Sequence, residues 1–156
     1  MKKKNLTVNI LKVFVIITGI FTLAAAVLTP AFVDHFLSVV YGITDGETVM
    51  PLSIYIWTLM LPFLCALWCV LRLCSIIAAG NPFSMQSVHE LKVIIICCIA
   101  EVIICFAAEF IFKFYPFLLS TILVAVVCIV IAVFAAVLKE LVGSAIHLRE
   151  ENELTI

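Results

Sequence analysis

The chain has 156 residues, 66% of them hydrophobic and only 12% charged, with a formal net charge of −1 and a mean hydropathy of +1.35. A soluble domain averages roughly 45–50% apolar and about 25% charged residues, and at this length it must cover a large surface with polar atoms. An ordinary soluble domain is therefore excluded, and the bilayer is the solvent this composition suits.

The chain opens with "MKKKNLTVNILK" and then runs apolar from about Val13 to Val33. A basic start, an apolar stretch and small residues at Ala24 to Ala26 also fit a cleaved signal peptide. The apolar run continues through "VLTPAFV" instead of giving way to a polar start, so an uncleaved first helix is expected. Residues 34–51 then read as an outer loop carrying Asp34, Asp45 and Glu47 and no Lys or Arg. Within it "TDGE" is a turn signal, since Gly accepts positive φ and Asp bonds its own backbone. Tyr41, Tyr55 and Trp57 flank the loop as interfacial aromatics do.

A second apolar run covers about 52–79, a third about 93–112 and a fourth about 117–138. Crossing roughly 30 Å of hydrocarbon takes a helix of about 20 residues, so each run is long enough. Between the second and third lies "AAGNPFSMQSVHELK". Gly80 stops one helix, Pro82 cannot continue it, and Ser87 with Glu90 three residues on reads as a capping box for the next. Phe83, exposed at a membrane boundary, is an anchor or a contact for a partner. These runs predict an all-α polytopic membrane protein: one domain over residues 1–156, four transmembrane helices in an antiparallel bundle, surrounded by membrane lipid.

Lys and Arg favour the cytoplasmic side. With the N-terminus inside, that side owns Lys2, Lys3, Lys4, Lys12, Arg72, Lys92, Lys139 and Arg149, leaving Lys113 outside. Both termini are expected in the cytoplasm.

The third run holds two carboxylates. Counting by four from Cys97 gives Glu101, Cys105, Glu109 and Lys113, a row facing broadly one way on a helix. A carboxylate near the middle of a span is expensive, so it marks a functional site or a paired group. Depths counted from the ends of the runs put Arg72 level with Glu101, which predicts an Arg72–Glu101 pair with Glu109 higher and near Lys113. The alternative is a Glu101 that handles a proton or a cationic solute. The seven cysteines, at 65, 69, 74, 97, 98, 105 and 128, fall inside the spans, where thiols behave as small apolar residues. No disulfide frame, metal site or cofactor is expected. Phosphate-cradling glycine loops, HExxH and nucleophile elbows are absent from the sequence, and His35, His89 and His147 fall at span ends or in loops; an enzyme is not expected.

After Leu138 the tail 139–156 continues as an amphipathic helix, its apolar face built from Leu138, Leu141, Val142, Ala145 and Ile146. Gly143 is where a bend onto the membrane surface is expected. The polar face, with Lys139, Glu140, His147, Glu150, Glu151 and Glu153, looks to the cytosol. Its acidity disfavours anionic lipid headgroups, leaving a protein as the expected partner.

"GNPFS", Gly80 to Ser84, together with the closing "LREENELTI", Leu148 to Ile156, resembles domain-of-unknown-function family 2975, small four-helix bacterial membrane proteins. In that family a Gly-x-Pro-Phe turn leads into a helix starting near a Leu, here Leu91, and the chain closes on an acidic segment and Leu-Thr-Val/Ile, here Leu154, Thr155 and Ile156. The family often has a Phe and a Gly before that tail, where this chain has Val142 and Ala145. The resemblance runs from the second helix to the C-terminus and brings no catalytic residues. It implies a bacterial plasma-membrane location and a small helix-turn-helix regulator as neighbour.

Three functional readings follow. In the first, a regulatory or accessory factor docks such a regulator through Pro82, Phe83, Glu150, Glu151, Glu153, Leu154, Thr155 and Ile156, without contacting nucleic acid itself. In the second, a small transporter or channel subunit, as a homo-oligomer, uses an Arg72 and Glu101 layer. In the third, an immunity-type protein meets a membrane-active peptide through its acidic outer loop.

Overall fold

The computed structural model describes residues 2–42, 46–112 and 118–154. They form four helices: α1 (Lys2–Tyr41), α2 (Gly46–Ala78), α3 (Met85–Phe112) and α4 (Leu118–Leu154). Each is long and apolar enough to cross a membrane. Large side chains such as Phe21, Val27, Phe110 and Phe134 stand on the outside, as a bilayer permits because lipid asks for no polar face. The molecule is a multi-pass membrane protein built as a four-helix bundle.

The helices outrun the apolar runs that predict them. Most of the expected outer loop is helix, Asp34 to Tyr41 ending α1 and Gly46 to Pro51 starting α2. Asp34 and His35 alternate with core residues there: Val33 and Leu37 are buried against Val49, with Leu52 and Ile56 around them. That cluster joins α1 to α2, and Gly42, which follows α1, has a φ of 66° that suits a residue without a Cβ. Glu47 sits in the first turn of α2, where the helix dipole favours a carboxylate. The turn residues Thr44 and Asp45 lie outside the described residues.

At the other end α2 closes on Gly80, φ 85°. Its N–H donates to the Ile77 carbonyl at 3.1 Å and the Asn81 N–H to the Ile76 carbonyl at 3.3 Å, the paired bonds of a Schellman stop. The expected Ser87/Glu90 capping box is not formed. Ser84 is the cap, its hydroxyl accepting the Ser87 N–H at 3.3 Å and meeting the Ser87 hydroxyl at 3.2 Å, so α3 starts earlier and Glu90 is free to turn inward. The bend expected at Gly143 is likewise absent, because α4 runs unbroken from Leu118 to Leu154 and Val142 still packs on the core.

Each helix packs on the next in the chain, α1 on α2, α2 on α3 and α3 on α4; among the described residues α1 does not pack on α4. A second core of Cys69, Leu91, Ile94, Cys98, Cys128 and Ala135 joins α2, α3 and α4. Six of the seven cysteines are buried and Cys65 is exposed. Their small side chains, with Ala108, Ala125 and Ala135, let these helices approach closely, as small residues do in membranes.

Backbone polar groups in lipid must be satisfied within the protein, and Pro30 inside α1 breaks that rule locally. Proline has no N–H, so the carbonyl of Ala26, four residues back, loses its helical donor. Trp57 on α2 supplies one, its Nε1–H donating to the Ala26 oxygen at 2.9 Å. The aromatic expected at headgroup depth is therefore a clasp between α1 and α2. Hydroxyls are handled more locally: Thr18, Thr22, Thr29, Ser53, Thr58 and Ser75 each donate to the carbonyl four residues earlier.

Candidate functional site

Two places combine polar groups with space. The first is at the Gly80 turn, where Arg72 Nη1 meets Glu90 Oε1 at 3.2 Å. The carboxylate side is 8% exposed and the arginine 62%, so a buried anion is held by a cation that reaches outside. Ser75, Ile76, Gln86 and His89 complete a pocket of about 350 Å³ around the pair.

The predicted Arg72–Glu101 pair is not what these helices make. Arg72 and Glu90 lie equally far on either side of Asn81, the middle of the hairpin turn, whereas depths counted from the ends of the apolar runs slide α3 by several residues. Glu101 is eleven positions beyond Glu90, roughly 16 Å further along α3 at about 1.5 Å per residue. Tyr55 on α2 approaches Cys105 on α3 at 4.0 Å, in step with the same register.

The second place is a cleft at mid-bundle. It has a volume of about 680 Å³ and is lined from all four helices, including Phe21, Thr22 and Ala25 of α1, Met60 and Phe63 of α2, Cys97 of α3, and Leu123 and Val127 of α4. With α1 and α4 not packed on each other, it is a cleft between them and not a sealed void. Glu101 lies on its wall and is 9% exposed. The Cys128 thiol of α4 donates to its Oε2 at 2.8 Å, a contact sequence reading missed; Cys128 falls on the facing helix, and no spacing rule relates it to Glu101. Glu109 belongs to α3, but its side chain and Lys113 lie outside the described residues, so their expected proximity does too.

The predicted docking residues whose side chains are described, Pro82, Phe83, Glu150 and Glu151, are all at least partly exposed. Pro82 is half-buried and Phe83 exposed in the turn between α2 and α3. Residues 147–152 of α4, including Glu150 and Glu151, are exposed around the whole helix, with His147 Nδ1 at 3.5 Å from Glu151 and Lys139 at 3.3 Å from Glu140. Glu153 and Leu154 continue the helix, their side chains outside the described set along with Thr155 and Ile156. The expected apolar face divides: Val142, Ala145 and Ile146 are partly buried, while Leu138 and Leu141 face outward.

The uncharacterized membrane protein YoaS of Bacillus subtilis (strain 168) is 29% identical over 154 residues, covering 94% of this chain and 95% of that one. No solved structure matches. The family model "Protein of unknown function (DUF2975)" matches residues 44–156. With that match running from the α1–α2 connection through the whole of α2, α3 and α4, this four-helix membrane protein belongs to the DUF2975 family.

Proposed function

We propose that the protein is a regulatory or accessory factor of a bacterial plasma membrane, without catalysis of its own, that holds a cytosolic helix-turn-helix regulator at the membrane. In this reading the helices are antiparallel and both termini face the cytosol. The support is the charge bias: Lys12, Arg72, Lys92, Lys139 and Arg149 belong to the ends of helices that share one side of such a bundle, and the exposed Asp34 and Glu47 to the other.

The observation that carries the reading is the length of α4. Its 37 residues extend about 55 Å, against roughly 30 Å of hydrocarbon, so about 25 Å of helix stands clear of the bilayer core. The exposed end carries Glu150 and Glu151, and Phe83 is exposed in the α2–α3 turn. A rigid acidic helix with an apolar contact complements a basic protein surface, the kind a DNA-binding module presents. Such docking competes with DNA for that surface and gives the membrane protein a way to regulate.

The test uses the full-length chain and a chain truncated after Arg149, both recovered in membranes of the native host. Full-length protein is expected to retain a helix-turn-helix protein that the truncated chain loses, and DNA carrying that regulator's site is expected to release it. Equal retention by both chains, or retention indifferent to DNA, refutes the reading. The transporter alternative loses its charge layer, because Arg72 is engaged by Glu90; what is left of it is Glu101 alone.

A further inference from the structure

We propose that the mid-bundle cleft is a binding site for a lipophilic monocation, an organic ammonium or phosphonium whose single positive charge is carried on an apolar body. Glu101 is its counter-ion. This site stands apart from the proposed docking surface, so failure of either leaves the other intact.

Three observations converge. The cleft's volume of about 680 Å³ lies in the range of roughly 300–1,000 Å³ that drug-sized ligands occupy. Its walls are apolar except at few points, and Glu101 is the one charged side chain among the described residues that line it. Among the described residues that carboxylate makes no salt bridge, and Arg72 is engaged by Glu90 at 3.2 Å. Its hydrogen bond comes from the Cys128 thiol on Oε2, a weak donor. Thr22, the other oxygen-bearing side chain in the lining, already donates its hydrogen bond to the Thr18 carbonyl at 2.8 Å. An acidic group kept in an apolar wall with so little support is matched by a cation that brings its own apolar surface.

The chemistry of the walls sets the rest of the specificity. Met60 is a flexible thioether that adapts to irregular shapes, and Phe21 and Phe63 also line the cleft, offering ring faces that attract cations. An anion of the same shape meets Glu101 as a like charge. A hydrated inorganic cation finds no ring of oxygens to replace its water.

The experiment measures equilibrium binding of radiolabelled tetraphenylphosphonium to full-length protein in lipid nanodiscs, with empty nanodiscs subtracted, beside tetraphenylborate, an anion of nearly the same size. Saturable tetraphenylphosphonium binding is expected, weakened at least tenfold by Glu101→Gln and largely kept by Glu101→Asp, with no saturable tetraphenylborate binding. Val127→Trp, which fills the cleft from α4 and leaves the carboxylate in place, is expected to weaken it as well and serves if Glu101→Gln does not fold. Equal cation binding by wild type and Glu101→Gln, saturable binding of the anion, or insensitivity to Val127→Trp overturns the proposal. So does phospholipid retained through delipidation by wild type and Glu101→Gln alike with no saturable cation binding, which assigns the cleft to an acyl chain.

Discussion

Replacing Trp57 by Phe keeps an aromatic ring on α2 and removes the indole N–H that donates to the Ala26 carbonyl. Interhelical hydrogen bonds in membranes are worth about 0.6 kcal/mol on average and about 1.7 at most, while a buried acceptor left without a donor costs about 1–3 kcal/mol. Trp57→Phe is therefore expected to destabilise the bundle by about 1–2 kcal/mol. Because Pro30 creates the need, Pro30→Ala should remove it: the new N–H of residue 30 reaches the Ala26 carbonyl along α1, and the penalty of Trp57→Phe should fall below about 0.5 kcal/mol. The cycle cancels the difference in ring size, which is the same in both backgrounds. Unfolding can be followed in mixed micelles of rising denaturing-detergent fraction by pulse labelling of thiols, since six of the seven cysteines are buried when the protein is folded. Equal penalties in the two backgrounds would refute the assignment of Trp57 as the surrogate donor for Pro30.

Arg72→Met leaves the buried Glu90 without its cation and should cost about 1–3 kcal/mol, most of it recovered in the same thiol assay by adding Glu90→Gln; the swap Arg72→Glu with Glu101→Arg should recover nothing. Gly80→Ala forces a Cβ onto a residue at φ 85° and should cost about 1–2 kcal/mol, measured as a shift of the labelling midpoint. Ser84→Ala removes the cap of α3 and should cost about 1 kcal/mol, with Ser84→Asp close to wild type. Truncation after Arg149 removes Glu150, Glu151 and Asn152, which are exposed, and the four residues after them, so the midpoint should move by less than about 0.5 kcal/mol.

The number of helices was legible because each apolar run alone is long enough to span hydrocarbon. Their ends were not, since hydropathy reports where lipid stops and a helix continues as long as its own bonds do. Asp34 and His35 read as loop, yet Val33 and Leu37 on either side are drawn into contact with Val49, and that spacing is helical. Pro51 read as a boundary, but so near the start of α2 its missing N–H removes a single bond, to the Glu47 carbonyl. Gly80 was readable because a positive φ after an apolar helix has few other solutions. The partner of Arg72 was misread for a geometric reason: pairing across a hairpin is fixed by the centre of its turn, and the ends of the apolar runs are poor markers of that centre. The Cys128 contact to Glu101 and the Trp57 contact to Ala26 join separate helices, and only packing creates them.

The gap between α1 and α4 has a bearing on how any affinity for the cleft is expressed. A molecule arriving through that gap comes from the acyl-chain phase, so the concentration that governs occupancy is its mole fraction in lipid. Two compounds that fit equally well but differ a hundredfold in their partition from water into the bilayer will differ by about 2.7 kcal/mol in apparent aqueous affinity, with no difference in any contact to the protein. Adding lipid will raise the total ligand needed for half-occupancy, while the midpoint in membrane mole fraction stays put.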